Sequence, residues 1–456
     1  MNFPYGKAPL AILIVALVAG VGVWLSGQRA AARKPDLIFA TFEKSHAAAY
    51  MAALPGFEKQ HGVKVQIQVV DQRALENRLQ SALLVGAEVP DVVELLDGTM
   101  GTFTKGPIED IGFVDLTSRV HESGLYDRLV TSRFSKWSSR GRIFALPHDL
   151  HPVMLCYRRD LIEQLGIDVS ALTTWEEFSR VGRKVVKDST GKNGVVGHYM
   201  IDMQADGGDY IRILLLQRGG RMFDDAGVAC FDNAITADVV WWYIHQLEGP
   251  GRIAFSAGWG QNLSRAMIDG LCLFYVCPDW RTMQISADIP SLNGKLALMP
   301  LPAWEPGGRR TTTWGGTGLA LTKKCRNVDL AWELAKYLYY DPDQLGPRFK
   351  VTNIITPLKD AWNQPEFDEP RPFFSNMRIG QEYVKLAIDV PAEQVNAYQQ
   401  QANGKLSEAF LNASLYYQAH GDEGLREFID AELRRCADYV RQVMNRNVFL
   451  AKKGKS

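Results

Sequence analysis

The stretch that decides the fold runs from Asn262 to Trp280 and reads NLSRAMIDGLCLFYVCPDW. Its first residues place apolar side chains on one helical face, and Gly270 is suited to end that helix. The run from Leu271 to Cys277 carries no charge and no alternation of polar and apolar residues. This pattern predicts a strand covered on both faces by helices, as in a parallel α/β sheet.

The end of this strand is the first candidate for a recognition site. Pro278, Asp279 and Trp280 follow the apolar run directly, so we expect them to leave the sheet at its edge. Ligands of open α/β sheets bind at such an edge, where a carboxylate and an indole can both reach them. The alternative is that Trp280 is a core residue after an ordinary turn.

Strands and helices alternate in the N-terminal part of the mature sequence. Apolar or alternating runs predict strands at residues 35–42, 63–70 and 91–96, with helices between them that end near His61 and Val85. This order predicts a parallel sheet with right-handed crossovers. Polar turns follow the first and third strands, at Glu43 and Lys44 and at Asp97.

Composition excludes several classes of function. A chain of 456 residues suggests two or three domains, and 51 basic residues balance 51 acidic ones. With no overall positive charge, nucleic acid is not an expected partner. The six cysteines and eight histidines show no metal-binding spacing, so we predict no metal and no cofactor. Cys272 and Cys277 would lie on opposite faces of one strand and cannot form a disulfide.

Residues 1–34 have the composition of an export segment, with an apolar run at residues 8–25 before Arg33 and Lys34. The segment is either a signal peptide cleaved after Ala32 or a retained membrane anchor.

The middle and end of the chain add further expectations. Residues 132–142, rich in Ser, Arg and Gly, predict a surface stretch, and residues 148–152 predict a crossover between two lobes. Thr174 and Glu177 form a capping-box pattern at a helix start. Residues 404–447 are helical in pattern with a break near residues 421–424, and residues 448–456 form a basic tail.

Eight short motifs, in this order, resemble those of the bacterial extracellular solute-binding proteins that serve ABC importers, the group that includes maltose-binding protein. They are Phe57–Val65, Pro90–Val93, Leu155–Asp160 before Gly166, Thr174–Phe178, Gly219-Gly220 with Phe223 and Gly227, Arg265–Met267 with Gly270, Met299–Pro302, and Trp314–Gly318 continuing to Trp332. The resemblance extends from about residue 36 to about residue 440.

The resemblance implies an α/β, two-lobed periplasmic-binding-protein fold of type II, with a hinge crossed more than once and a ligand cleft between the lobes. The expected division is 35–147 plus 315–365 for lobe 1 and 148–314 plus 366–447 for lobe 2. It also implies a monomeric, non-enzymatic substrate-binding subunit that acts outside the cytoplasmic membrane. Its partners would be a carbohydrate ligand and ABC permease subunits.

The predicted ligand contacts come from the resemblance and from the sequence itself. They are Glu43, Lys44, Asp97, Asp149, His151, Trp259, Asp279, Trp280, Trp314, Gly315 and Tyr398. Carboxylates and amines suit sugar hydroxyls, and aromatic rings suit the apolar faces of sugars. Each residue also has a structural alternative: Glu43 and Lys44 as a solvated turn, Asp97 as a cap, and His151 as an ordinary polar contact.

Two other functions fit the same sequence. A membrane-tethered ligand sensor would share the fold and keep the N-terminal anchor. An exported glycoside hydrolase would also be rich in Trp and carboxylates, but it needs two carboxylates about 5 to 10 Å apart across the scissile bond, and the sequence nominates no such pair.

Overall fold

The structure is a computed structural model that describes residues 14–20, 34–192, 194–393 and 396–449. Residues 14–20 form a short exposed helix, α1. The remainder of the predicted export segment, and the tail from residue 450 on, lie outside the described residues. Within the described ranges, no helix combines the length and apolar character needed to cross a membrane.

In chain order the strands are β1 (Leu37–Thr41), β2 (Val65–Val69), β3 (Val92–Leu96), β4 (Ser138–Ser139), β5 (Arg142–Ile143), β6 (Leu146–Pro147), β7 (Val153–Arg158), β8 (Tyr199–Asp202), β9 (Ala254–Phe255), β10 (Cys272–Pro278), β11 (Leu296–Pro300) and β12 (Thr317–Leu321).

After α1 the helices are α2 (Lys44–His61), α3 (Gln72–Val85), α4 (Asp97–Phe103), α5 (Thr117–Glu122), α6 (Leu125–Arg128), α7 (Arg159–Gln164), α8 (Trp175–Ser189), α9 (Gly208–Gln217), α10 (Ala234–Leu247), α11 (Gln261–Asp269), α12 (Asp279–Asp288), α13 (Val328–Tyr340), α14 (Pro342–Thr352), α15 (Ile379–Ala387), α16 (Gln399–His420) and α17 (Leu425–Asn445). Short 3₁₀ segments lie at Ile108–Asp110, Thr131–Trp137, Val169–Ala171, Pro290–Leu292, Lys359–Asn363, Pro365–Asp368 and Pro372–Phe374.

Two five-stranded sheets define two lobes. The sheet of the first lobe has the order β2, β1, β3, β12, β6, and that of the second lobe has the order β11, β7, β10, β8, β9. In the first lobe, β1 pairs in parallel with both β2 and β3, which confirms the three predicted N-terminal strands and their direction. The fold is therefore the predicted two-lobed α/β arrangement; the bounds of the predicted lobes stay a prediction.

The decisive stretch folds largely as its pattern predicts. Helix α11 ends at Gly270, which adopts φ 69°, and every residue of β10 is buried. The prediction of a parallel sheet is only half correct here, because β10 pairs in parallel with β8 but antiparallel with β7. Burial on both faces of the sheet explains the unbroken apolar run. The same run would arise in a parallel or an antiparallel strand, so the pattern does not determine the strand direction. No loop follows β10: α12 begins at Asp279.

Two other predictions at helix ends can be compared with the structure. Thr174 and Glu177 form the predicted capping box at the start of α8. The C-terminal helical region is interrupted between His420 and Leu425, as predicted, but its first helix begins at Gln399 instead of near Gly404.

The prediction of a surface stretch at residues 132–142 is wrong for its central part. Arg133 and Lys136 are each 1% exposed and Trp137 is fully buried. The indole of Trp137 lies against Gly318 of β12, where a Cβ atom would be 2.6 Å from the ring. Hydrogen-bond partners from distant loops and from the start of α4 compensate the two buried cations, and composition alone does not reveal such partners.

We expect Gly318→Ala to destabilise the chain by about 1 to 3 kcal/mol, because the added methyl group has no room beside the Trp137 ring. Urea denaturation would measure the loss. Gly404→Ala is the matched control: it lies exposed within α16 with nothing near its Cβ position, so it should stabilise by up to about 1 kcal/mol. Equal stability of both variants would contradict this packing.

Candidate functional site

A cavity of about 410 Å³ lies between the two lobes. The first lobe contributes the segment after β1, from Phe42 to His46, and the residues that lead into β12. The second lobe contributes Trp280 and the following turns of α12. Four of the predicted contacts line this cavity, namely Glu43, His151, Trp280 and Gly315.

Trp280 presents a half-buried indole to the cavity because α12 begins one residue earlier, at the end of β10. Its ring nitrogen donates a hydrogen bond of 3.0 Å to the backbone oxygen of Trp314. Gly315 adopts φ 93°, a conformation that favours glycine, and a Cβ there would make only ordinary contact with the Trp280 ring nitrogen, at 3.7 Å. The ring is thus fixed at its polar edge.

Trp314 is the centre of an aromatic group next to the cavity. It is only 4% exposed, and its ring nitrogen donates to Asp209 at 3.0 Å. Trp280 and Trp259 meet it edge to face, with ring centroids 5.5 and 5.7 Å away. Of the three rings, Trp259 is the most exposed, at 51%.

His151 joins the two lobes at the hinge. Its Nδ1 lies 2.7 Å from Asp279 of α12, and its Nε2 lies 3.0 Å from Asp149, which precedes it in the crossover. Asp149 also accepts the backbone N–H of Thr317 from the first lobe, and Asp279 accepts that of Ile355. Backbone φ at His151 is 52°, a conformation that non-glycine residues seldom adopt.

Asp149 and Asp279 do not line the cavity in this structure, and their contact with ligand stays a prediction. Both side chains are fully buried, and protein donors occupy their carboxylate oxygens. In this structure they hold His151, whose ring reaches the cavity, instead of lining the cavity themselves. The sequence placed Asp149 at the crossover and Asp279 at the end of a strand, but the direction of each side chain follows from partners far along the chain.

The charged groups at the hinge shift one another's pKa values toward the ionised forms. Burial would lower the pKa of His151, but the charges of Asp149 and Asp279 raise it from 6.5 to about 9. Burial would raise the pKa of Asp149, yet the charge of His151 and hydrogen bonds from His148 and His151 hold it well below 3.8. The imidazole of His151 is therefore a cation at neutral pH.

The first lobe supplies the remaining predicted polar contacts. Glu43 caps α2 by accepting hydrogen bonds from the backbone and hydroxyl of Ser45 at 3.0 and 2.9 Å. Lys44 is exposed at the first position of that helix. Asp97 is half-buried and accepts a 2.6 Å bond from Lys136. Glu43 is thus a helix cap, which neither prediction for it included, and it also lies on the cavity wall.

Lys136 is a functional candidate that the sequence did not reveal. Besides Asp97, it pairs with Glu393 at 2.9 Å, and Arg212 of α9 in the second lobe pairs with the same carboxylate. Burial would raise the pKa of Glu393, but the charges of Arg212 and Lys136 lower it to about 2. Three buried charged groups thereby connect the two lobes beside Asp97.

Tyr398 lies apart from the cavity lining. Its side chain is 6% exposed, its hydroxyl accepts a hydrogen bond from Asn447 at 3.0 Å, and the Lys105 ammonium lies 5.3 Å from its ring centre. The cavity lining does not include Tyr398, so its contact with ligand stays a prediction.

One described group has the composition of a metal site, formed by His46, Glu94 and His148. Glu94, however, accepts hydrogen bonds from the hydroxyls of Tyr50 and Tyr339, each at 2.7 Å, and from Thr41. Burial would raise the pKa of Glu94, but the charge and hydrogen bond of His46, the charge of His148 and the hydrogen bond of Thr41 lower it to about 2. We interpret the group as a hydrogen-bonded core beneath the cavity. The prediction of no metal stays untested.

Two α/β lobes around a cleft, with several chain crossings at the hinge, define the class of two-lobed binding proteins. A model of the bacterial extracellular solute-binding protein family matches residues 43–344. The chain belongs to this family, and the predicted resemblance is confirmed.

Individual relatives are distant but cover nearly the whole chain. The chain is 24% identical to an arabinooligosaccharide-binding protein of Halalkalibacterium halodurans over 404 residues, which cover 85% of this chain and 86% of the relative. It is 23% identical to an arabinooligosaccharide-binding protein of Bacillus subtilis, covering 90% of this chain and 93% of the relative. The sugar-binding protein MalE of Xanthomonas citri superposes with a TM-score of 0.74 at 18% identity, covering 92% and 100% of the two chains; that likeness shows the fold.

We expect the His151 cation to make stability pH-dependent. Because its pKa is about 9 in the folded chain and about 6.5 unfolded, its contribution is complete below pH 6.5 and is lost as the pH rises through 9. His151→Asn tolerates the positive φ but removes the charge, so the wild-type advantage, about 3 kcal/mol below pH 6.5, should vanish above pH 9. Thermal and urea unfolding from pH 6 to pH 10 would measure it.

The control is His61→Gln, at the exposed C-terminal end of α2. This variant should keep the wild-type pH profile. A constant difference between wild type and His151→Asn across the range would contradict a charged His151.

Proposed function

We propose that this chain is the substrate-binding subunit of an ABC importer and that it binds a sugar or oligosaccharide in the cleft between its lobes. The observation that carries the proposal is the Trp280 indole, fixed at its polar edge by Trp314 and presented to the interlobe cavity. A flat aromatic surface suits the apolar face of a sugar ring, and the cavity volume suits a small ligand.

The polar side of the cavity fits the same ligand class. Glu43 and the imidazole of His151 lie on its walls, and Lys44 is next in sequence to Glu43. Together they offer acceptors and donors to hydroxyl groups. Asp97, Trp259 and Trp314 lie outside the lining of this cavity, and their contact with ligand stays a prediction. The names of the relatives support the proposal, since two of them bind arabino-oligosaccharides and one binds lactose.

Binding would be coupled to the relative position of the lobes. His151 contacts carboxylates that are bonded to different segments on the two sides of the hinge, and Lys136 and Arg212 share Glu393 across the cleft. A ligand that contacts both walls would favour the closed arrangement, which a permease could then recognise. We propose that the chain acts as a monomer and without enzymatic activity.

We further propose that residues 1–34 direct the chain to the extracytoplasmic side, where residues 8–25 serve as a cleaved signal or a retained anchor. Fractionation of the native host cell and N-terminal sequencing of the mature protein would test this. A mature N-terminus near residue 33 indicates cleavage, an intact apolar segment in the membrane fraction indicates an anchor, and recovery of the full chain in the cytoplasm contradicts export.

We expect Trp280→Ala to weaken binding of the preferred saccharide by about 1 to 3 kcal/mol, or about 5- to 150-fold, because the stacking surface is lost. Isothermal titration calorimetry would measure this, after a thermal-shift panel of arabino-oligosaccharides, malto-oligosaccharides, lactose and monosaccharides has identified a ligand.

Trp241→Ala is the matched control, because Trp241 is 40% exposed on α10 and stacks on His245. It should leave the affinity unchanged. Equal effects of the two substitutions would contradict a specific role for Trp280. If no saccharide of the panel shifts the melting temperature and an amino acid or a polyamine does, the sugar assignment is contradicted.

A further inference from the structure

Trp259 is an exposed aromatic residue whose position depends on very few contacts. It stands between Gly258 and Gly260, which adopt φ 75° and 66°, and neither glycine has a neighbour near its Cβ position. The loop is tied down two residues earlier, where the backbone N–H of Ala257 donates to Asp202 at 2.9 Å. Glycines on both sides leave the backbone free to adopt other conformations, so the indole needs a partner to hold it.

Arg281 is that partner. Its guanidinium carbon lies 4.9 Å from the Trp259 ring centre and 5.7 Å from that of Trp314. The side chain is 2% exposed, and one of its nitrogens donates to the backbone oxygen of Val276 at 2.6 Å and to the Tyr210 hydroxyl at 3.2 Å.

The charge of Arg281 is compensated in an unusual way. Among the described residues no carboxylate forms an ion pair with it, although its side chain is almost fully buried; the charge of Asp202 acts on it from the far side of the Tyr210 hydroxyl, which bonds to both groups. A buried cation without a carboxylate is costly unless carbonyls, hydroxyls or aromatic faces replace the lost water. Cation–π contacts are strongest in such desolvated positions, so both indole rings contribute to holding this charge.

We propose that Arg281 is a positioning residue that fixes the Trp259 indole against Trp314, so that the cleft offers a second stacking surface besides Trp280 and favours ligands of two or more sugar rings over monosaccharides. This inference rests on the proposed sugar-binding function. Trp259 and Trp280 both pack edge to face against Trp314 and belong to different elements, the loop before α11 and the start of α12. A ligand of two or more sugar rings could therefore contact both indoles, whereas a monosaccharide would contact Trp280 alone.

The first test needs no ligand. The full chain labelled with 5-fluorotryptophan would give a ¹⁹F resonance for Trp259, assigned through Trp259→Phe. We expect Arg281→Met, which keeps the side-chain length but removes the charge, to shift and sharpen this resonance as the indole becomes mobile. Arg281→Lys retains a cation and should restore most of the wild-type signal. An unchanged Trp259 resonance in Arg281→Met would overturn the positioning role.

The second test measures chain-length preference by calorimetry with a mono-, a di- and a trisaccharide of the series that binds. Trp259→Ala should weaken trisaccharide binding by about tenfold and monosaccharide binding by less than about twofold. Arg281→Met should show the same dependence on chain length. The variant that combines Trp259→Ala with Arg281→Met should bind the trisaccharide no more weakly than either single variant, because both substitutions act through the Trp259 ring. Additive losses, or equal losses for all three sugars, would overturn the proposal.

If Arg281→Met fails to fold, Arg281→Lys provides the test. A partial loss of affinity in this variant that grows with saccharide length, together with a normal thermal transition, supports the same role for Arg281. If the wild-type chain binds none of the saccharides, the proposed function fails and the chain-length preference fails with it. The fluorine spectra still decide whether Arg281 holds Trp259.

Discussion

The cleft of this protein depends on one buried cation, the imidazolium of His151 between Asp149 and Asp279. Its two carboxylates belong to different parts of the chain, the crossover from β6 to β7 and the start of α12, and each also accepts a backbone N–H from a further hinge segment. Neither carboxylate could be buried alone at acceptable cost, and neither could the imidazolium. The ion triad therefore requires all of these segments to meet at one point, which also forms part of the cavity wall.

Next to this point lie three indole rings that are themselves held by polar contacts. Trp280 is fixed through its ring nitrogen, Trp314 through Asp209, and Trp259 through the guanidinium of Arg281. Such contacts reduce the rotamer freedom that an aromatic surface would lose on binding, which benefits affinity. Outside the cavity lining, Lys136 holds Asp97 and shares Glu393 with Arg212, so buried charges from the two lobes are paired there.

The candidate site was only partly predictable from sequence. Trp280 could be placed because the end of a strand has a local signature, whereas Gly315 followed from the family resemblance; both line the cavity. Asp149 and Asp279 were placed near the site, but their side chains point into the hinge. Arg133, Lys136 and Arg281 were missed, since a cation in a polar stretch has the sequence pattern of a surface residue. Their burial depends on acceptors that lie up to 257 positions away in sequence, as for Lys136 and Glu393.

The sequence by itself determined the elements and their class. Hydrophobic periodicity, the capping box of Thr174 and the glycine stop at Gly270 predicted the elements and an α/β class, because these signals arise from neighbouring residues. The two-lobed binding-protein fold was what the resemblance of the ordered motifs implied. Tertiary structure alone decided the direction of β10 relative to β7 and the burial of the hinge ions. It also decided which indoles face the cleft. These features depend on pairing between residues distant in the chain, and a side chain that is buried with its partner has the same local sequence as one left in water.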